Sequence, residues 1–416
     1  MRRNEPDLRI NIDRLMARIR ALGRVGALSG GGVARLALSD DDKAGRDLVV
    51  GWMRELGLDI CVDQIGNVVG VRKGSESGAP VMTGSHIDTV RTGGLYDGNL
   101  GILAGLEVIQ VLNDSGVETR YPLAVAFFTN EEGARFAPDM MGSLVFVGGL
   151  DIDTARATRG IDGAEVGAEL ARIGYAGAAP VGAEANRVRA YVELHIEQGP
   201  VLEQGGLTIG AVTGVQGISW AEYTVRGISN HAGTTPMRLR HDAGYVAAAV
   251  SCFVRDLAHE MGGDQVATVG LVDLKPNLVN VIPSQARFTV DMRNTDEAQL
   301  QEAERRLADF LAGLAAREGV GVDQRILARF EPVIFDPAMV SRVEEAAWAL
   351  GHTVRRMPSG AGHDAQMLAR ICPAGMIFVP STGGISHNVQ EHTEPADIEA
   401  GANVLLKILT ELAQQA

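Results

Sequence analysis

Five short segments, far apart in the chain, carry side chains that divalent cations favour. They are Gly84-Ser85-His86-Ile87-Asp88, Tyr96-Asp97-Gly98, Asn130-Glu131-Glu132-Gly133, Glu193-Leu194-His195-Ile196-Glu197-Gln198 and Gly384-Ile385-Ser386-His387. Three imidazoles, an Asp among glycines and an adjacent Glu pair are donors of the kind that mixed nitrogen–oxygen metal sites use. Two cations held this way can share a water and lower its pKa from about 16 toward about 7. The chemistry on offer is two-metal hydrolysis.

Each segment also has a plainer reading. In an extended segment His86 and Asp88 share a side, so Asp88 can accept the imidazole's second N–H and fix its tautomer. A loop His beside a helix-capping Asp looks the same. Asp97 can bridge two cations or cap the helix that starts near Asn99. Glu131 and Glu132 repel each other unless cations neutralise them. Consecutive side chains diverge, so one can bind metal while the other stays free as a base, or both can form a solvated acidic turn. Glu193, His195 and Glu197 alternate on one strand face, whether turned to a metal or to water. Gln198 follows as a possible amide-reading group. His387 matters as a nitrogen donor for a second cation.

The elements that position these residues can be read from periodicity. Ser39 caps a helix to about Gly57, with Ala44, Leu48, Trp52, Met53 and Leu56 on one face. Strands at 67–71, 81–83 and 123–128 and an apolar helix from Asn99 to Leu112 indicate an α/β domain with a largely parallel sheet. His86, Glu131 and Glu132 each follow a strand, where ligands gather in such sheets. From Val212 the order becomes βαββαβ, a ferredoxin-like sandwich, with Leu300, Ala303, Leu307, Phe310, Leu311 and Leu314 along one helix. Residues 212–330 therefore read as an inserted α+β domain within a catalytic domain of residues 1–211 and 331–416. In the insert, His231-Ala232-Gly233-Thr234-Thr235-Pro236 and Arg293 stand out. Arg293 shares a strand face with Arg287, Thr289 and Asp291, and its fork suits a substrate carboxylate or a surface salt bridge.

At 416 residues, 46% of them hydrophobic, the chain can bury two domain cores. Its net charge of −14 argues against nucleic acid. No apolar run approaches the roughly 20 residues of a spanning helix. The start, Met1-Arg2-Arg3-Asn4-Glu5-Pro6, lacks a signal-peptide core. Three scattered cysteines, Cys61, Cys252 and Cys372, imply no disulfide framework and read as buried small hydrophobes. A cytoplasmic protein that binds no membrane is the expectation.

Taken together, GSHIDTVRTGGLYDGNLGILAGLE, NEEGARF, ELHIEQGPVLE, HAGTTPM, NLVNVIP, DMRNTD, SGAGHDA and GISHN are similar to one group. It is the N-carbamoyl-L-amino-acid hydrolase and allantoate amidohydrolase branch of the zinc carboxypeptidase–aminoacylase superfamily. The resemblance runs from about residue 15 to 410. It implies two divalent metals per subunit, zinc first, with manganese, cobalt or nickel as alternatives. His86, Asp97 and His195 would hold one; Asp97 as a bridge, Glu132 and His387 would hold the other. Glu131 would be the general base. Related peptidases usually carry a carboxylate where His195 stands, so the imidazole points to the carbamoylase branch. The resemblance further implies a homodimer through the insert, with His231, Asn280 and Arg293 acting in the partner's site. Gln198 and Gly362 would be further substrate contacts.

The implied reaction splits the ureido C–N bond of N-carbamoyl-L-amino acids into L-amino acid, CO2 and ammonia. Glu131 would move the proton, Asp88 orient His86, His231 stabilise the oxyanion and Arg293 bind the α-carboxylate. Allantoate or another ureido acid is the alternative substrate. β-Ureidopropionase, aminoacylase or peptidase activity and a non-catalytic metal-binding dimer stand further off.

Overall fold

The computed structural model describes residues 8–415, so the Met1–Pro6 segment lies outside the described residues. The chain forms two compact units, Met1–Gly214 with Ile334–Ala416, and Val215–Val333. Among the described residues no helix is long and apolar enough to cross a membrane.

The first unit is built on a nine-stranded sheet. Its order is Asp59–Val62, Val68–Arg72, Leu123–Phe128, Val81–His86, Ala190–Ile196, Ala374–Val379, Ile209–Val215 and Val333–Ile334, with Val354–Ser359 paired to Ile209–Val215. Parallel pairing runs through the four strands from Leu123–Phe128 to Ala374–Val379. The strands on either side of these four are antiparallel. Central strands such as Leu123–Phe128 and Ala190–Ile196 are buried along their whole length, as a sheet covered on both faces requires. The helix Asn99–Asp114 is buried on every side over its first eleven residues. Gly101 lets it approach closely, since a Cβ there would lie 2.7 Å from the Leu194 carbonyl oxygen and 2.9 Å from that of Gly84.

The second unit is a four-stranded antiparallel sheet ordered Gly321–Phe330, Gly217–Arg226, Gln285–Asn294 and Val266–Lys275. Numbered by their place in βαββαβ, the strands run 4-1-3-2, the ferredoxin-like arrangement. Helices Ala243–Met261 and Glu297–Glu318 share a core with the inner sheet face, including Val250, Leu257, Phe288, Val290, Leu307 and Leu311. Arg287, Thr289, Asp291 and Arg293 alternate with the buried Phe288, Val290 and Met292, as their period of two dictates.

Two local expectations fail. The helix Asp40–Glu55 has its Ser39 cap, but it buries Asp42, Gly45, Arg46, Val49, Val50 and Met53, leaving Ala44 exposed and Leu48 and Trp52 half-buried. The helix is turned because its inward face carries an ion pair. Arg46 Nε donates to Asp42 at 2.8 Å, and its remaining nitrogens donate to the Gly66 carbonyl at 2.6 Å and the Thr129 hydroxyl at 3.1 Å. Periodicity of apolar residues cannot register a charged pair that is buried because each guanidinium nitrogen finds an acceptor. The cysteines are also misjudged: Cys61 and Cys252 are exposed and Cys372 is half-buried. Cys61 lies in the sheet's edge strand Asp59–Val62 and Cys252 on the outer face of its helix, places where apolar neighbours in sequence do not mean burial.

Removing one member of the buried pair strands the other. Arg46→Met should destabilise the protein by about 3–5 kcal/mol. The Asp42→Ala/Arg46→Met double variant should lose less than the sum of the two singles, read from urea denaturation midpoints. Additive losses would mean the pair is not coupled.

Candidate metal centre

The carboxyl ends of the four parallel strands bring the expected donors to one place. His86 ends its strand opposite Phe128, and Glu131 and Glu132 follow Phe128 by three and four residues. His195 pairs with Phe378, and the chain beyond Val379 leads through Thr382–Gly384 to His387. Asp97 lies in the loop between His86 and the helix starting at Asn99. It does not cap that helix by its side chain. Its carboxylate is buried and meets three imidazoles instead. Oδ1 is 3.2 Å from His195 Nε2 and 3.7 Å from His86 Nε2, and Oδ2 is 3.3 Å from His387 Nε2. His387 Nε2 is also 3.2 Å from Glu132 Oε2. Two donor sets result, His86–Asp97–His195 and Asp97–Glu132–His387, joined by Asp97. Glu131 belongs to neither.

The donor chemistry fits a cation in each set. The Asp88 and Ile196 carbonyls accept the Nδ1–H of His86 and His195, both at 2.9 Å. That leaves Nε2 of each ring facing a carboxylate oxygen, an arrangement that positive charge between the two, proton or metal, favours. Donor separations of 3.2 and 3.7 Å are what two ligands about 2.1 Å from one ion, at a tetrahedral angle, would give. The same demand appears in the protonation equilibria. Although burial opposes it, His86 is pushed well above the usual imidazole range by Glu131, Asp97 and Asp88. His387 is pushed up to about 10 by hydrogen bonds with Asp97 and Glu132. Burial would raise Asp97, but His195, His387 and His86 hold it well below the usual carboxylate range. Protons here occupy places that cations can take.

Glu131 and Glu132 do diverge. Glu131 Oε2 lies 3.4 Å from His86 Nε2 while Glu132 turns to His387. Burial, then repulsion by Asp364, Glu132 and Asp97, outweighs His86 and raises Glu131 well above the carboxylate range. Asp88 is placed differently from expectation. Its carboxylate is 4.0 Å from His86 Nδ1, and its backbone carbonyl is what fixes the tautomer. The carboxylate accepts the backbone N–H groups of Glu131 at 3.2 Å and Glu132 at 3.3 Å, so Asp88 positions the Glu pair. Period-two reasoning found the neighbour but not the atom.

Close approach explains the local backbone. Gly98 has φ of 66° and separates the rings, since a Cβ there would lie 2.4 Å from His86 Nε2. Its N–H donates to His195 Nε2 at 3.2 Å. Asn130, Gln198 and His387 are non-glycine residues in the left-handed region, with φ of 58°, 58° and 53°. Strain of this kind persists where surrounding contacts over-determine it, and it clusters at functional sites. Gln198 donates its amide to Asp97 Oδ2 at 2.9 Å and Ser386 Oγ at 3.2 Å.

Behind His195 lies a group that pattern reading left aside. His363 stacks edge-on against His195 with ring centroids 4.5 Å apart. Burial and the neighbouring His195 hold it well below the usual imidazole range. Its signal is the SGAGHDA motif, where it directly follows the half-buried Gly362. Glu193, His195 and His363 also lie within ligand reach of one another. Protein groups already satisfy that set: Glu193 accepts from Ser85 Oγ at 2.7 Å, Tyr191 at 3.3 Å and the Ala365 N–H at 2.8 Å, and His363 Nε2 meets Ser359 Oγ at 2.9 Å. The strand face of Glu193, His195 and Glu197 is thus buried, not solvated. Glu197 accepts the N–H groups of Val201 and Leu202, at 2.7 and 2.8 Å.

His231, Asn280 and Arg293 belong to the second unit. His231 and Asn280 sit on neighbouring segments, with the Ala232 N–H donating to the Asn280 carbonyl at 2.9 Å. His231 Nδ1 accepts N–H groups from Gly233 at 3.0 Å and Thr234 at 3.2 Å, which leaves Nε2 to carry the ring's proton. Arg293 pairs with Asp291 through Nε at 3.1 Å and Nη2 at 2.9 Å, with its guanidinium 5.5 Å from the Trp220 ring centroid.

The profile of peptidase family M20/M25/M40 matches residues 82–411. The N-carbamoyl-L-amino-acid amidohydrolase of Rhizobium meliloti is 41% identical, over 98% of this chain and 97% of that protein. The allantoate amidohydrolase of Bacillus subtilis is 34% identical, over 94% and 95%. A solved hydantoinase/carbamoylase-family amidase from Burkholderia multivorans superposes with a TM-score of 0.94 at 46% identity, over 99% of this chain and 100% of that one. Such identity over whole chains makes this protein a hydrolase of C–N bonds. It belongs to peptidase family M20/M25/M40, in the hydantoinase/carbamoylase branch.

Proposed function

We propose that the chain hydrolyses N-carbamoyl-L-amino acids at a two-cation centre joined by Asp97. The observation that carries the reading is Asp97 itself, with one oxygen among His86 and His195 and the other beside His387. Two divalent cations, zinc in first place and manganese, cobalt or nickel as alternatives, would be held there and supply Lewis acidity toward the ureido carbonyl and a water. The carbonyl needs that help because both flanking nitrogens donate into it.

The chain's own groups do the rest. Glu131, outside both donor sets and with raised proton affinity, takes the proton of the attacking water and returns it to the amino-acid nitrogen. Water thus supplies hydroxyl to the ureido carbon and a proton to the leaving nitrogen, and the carbamate released decomposes to CO2 and ammonia. Asp88 holds the backbone of Glu131 in place. Gln198 and the backbone at Gly362 contact the substrate. His231 donates its Nε2–H to the developing oxyanion, worth about 3–4 kcal/mol. Asn280 assists, and Arg293 binds the α-carboxylate by its fork, with Asp291 keeping the fork aligned.

His231, Asn280 and Arg293 are proposed to act in the partner's site of a homodimer formed through the second unit. Met237, Leu239, Leu278 and Val279 are 77%, 53%, 59% and 105% exposed on the segments that carry His231 and Asn280, apolar surface that a partner would cover. Among the described residues the cysteines are all free, in keeping with a cytoplasmic location. Allantoate is the second reading, since it too offers a ureido carbonyl and a carboxylate and a relative 34% identical carries that name.

Glu131→Gln should keep its metal and lose about 10²–10⁴-fold in kcat, measured by ammonia release; near-normal kcat would remove Glu131 as the base. Arg293→Ala should raise KM far more than it lowers kcat. A panel of ureido acids, assayed on metal-stripped enzyme after each cation is restored, should give the highest kcat/KM with an N-carbamoyl-L-amino acid. Preference for allantoate would favour the second reading, and no turnover of any ureido acid would sink both.

A further inference from the structure

The two donor sets share Asp97, but the second also depends on His387, which lies 290 residues further along the chain and has a half-exposed side chain. His86 and His195 sit at the ends of paired strands, each with Nδ1–H fixed by a backbone carbonyl. His387 has no such anchor among its described hydrogen bonds. Something else must set its distance from Asp97.

Gln198 Nε2 links the Asp97 and Ser386 side chains, and Glu391 ties the Ser386 hydroxyl to the backbone of the Asp97 loop. Glu391 is 4% exposed, and its two carboxylate oxygens reach different loops. Oε1 accepts the N–H groups of Tyr96 at 3.0 Å and Asp97 at 3.1 Å. Oε2 accepts the hydroxyl of Ser386, next to His387, at 3.1 Å. Ser386 Oγ lies 3.3 Å from Asp97 Oδ2 as well, so the same hydroxyl meets the shared carboxylate. The loop carrying Asp97 is shaped to this side chain: a Cβ on Gly94 would lie 2.1 Å from Glu391 Oε1. No step of the reaction uses Glu391. Burying a carboxylate beside the carboxylate of Asp97 costs stability unless the contacts it makes are needed.

We infer that Glu391 is a positioning residue that spans the Asp97 and Ser386–His387 loops and so assembles the second cation set, leaving the first set intact when it is shortened. The inference rests on the two-cation reading above. What matters is reach rather than charge. A Gln at 391 has the same length: its carbonyl can accept both backbone N–H groups while its amide donates to Ser386. An Asp keeps the charge but is one methylene short of bridging both loops.

The test is metal retention, independent of turnover. The full-length protein, loaded with Zn2+, is dialysed against graded chelator and its bound zinc counted. Wild type should hold two equivalents; a single equivalent would overturn the two-cation reading itself. With two in wild type, Glu391→Asp should hold one equivalent as wild type does and the other about 10–100-fold more weakly, a usual range for outer groups that orient ligands. Glu391→Gln should stay within about threefold of wild type on both. Ser386→Ala, a small change that spares the fold, should weaken the same single equivalent. Equal weakening of both equivalents in Glu391→Asp, a wild-type profile in Ser386→Ala, or a defect in Glu391→Gln but not Glu391→Asp would each overturn the inference.

Discussion

A carboxylate withdrawn from water and met by three imidazoles is the constraint around which this molecule is arranged. Asp97 cannot be stable there as an isolated charge, because desolvating an ion is costly unless opposite charge compensates it. Protons on the surrounding rings compensate it in the metal-free state, and cations do so without needing the rings to be charged. The orientation of His86 and His195 favours the second arrangement. Their Nδ1–H groups are already committed to the Asp88 and Ile196 carbonyls, so Nε2 is the nitrogen each ring turns toward Asp97 and a Lewis acid; at His195 the Gly98 N–H meets that nitrogen in the metal-free state.

The fold supplies rigidity where that constraint is tightest. Parallel strands fix His86 and His195, and Gly98 allows both rings to approach the turn that carries Asp97. The buried Arg46 joins the helix Asp40–Glu55 to Thr129, just ahead of the Glu pair, while Asp88 holds that pair's backbone. These contacts separate two neighbouring carboxylates into different tasks: Glu132 turns toward His387, and Glu131 is left without a place in either donor set. In the proposed reaction that residue is the base, and burial raises its affinity for a proton.

Much of this was legible in the residues. Alternation along Glu193–Glu197, the unbroken apolar run Leu123–Phe128 and the βαββαβ order are each written in the placing of apolar residues, so pattern and structure coincide. Legibility failed where polar groups are buried by mutual satisfaction. Asp42 and Arg46 turned a helix that apolar residues alone would have turned otherwise. Asp88 serves His86 through a carbonyl and Glu131 through its carboxylate, a distinction below the resolution of residue types. Glu391 touches Asp97 across 294 positions of sequence, and nothing local marks it.

The central claim is that Asp97 joins two cation sites. Anomalous diffraction from crystals of the zinc-loaded protein tests it most directly. Two peaks are predicted, one among His86, Asp97 and His195 and one among Asp97, Glu132 and His387. A single peak, or one at Glu193 and His363 in place of either, would contradict the account.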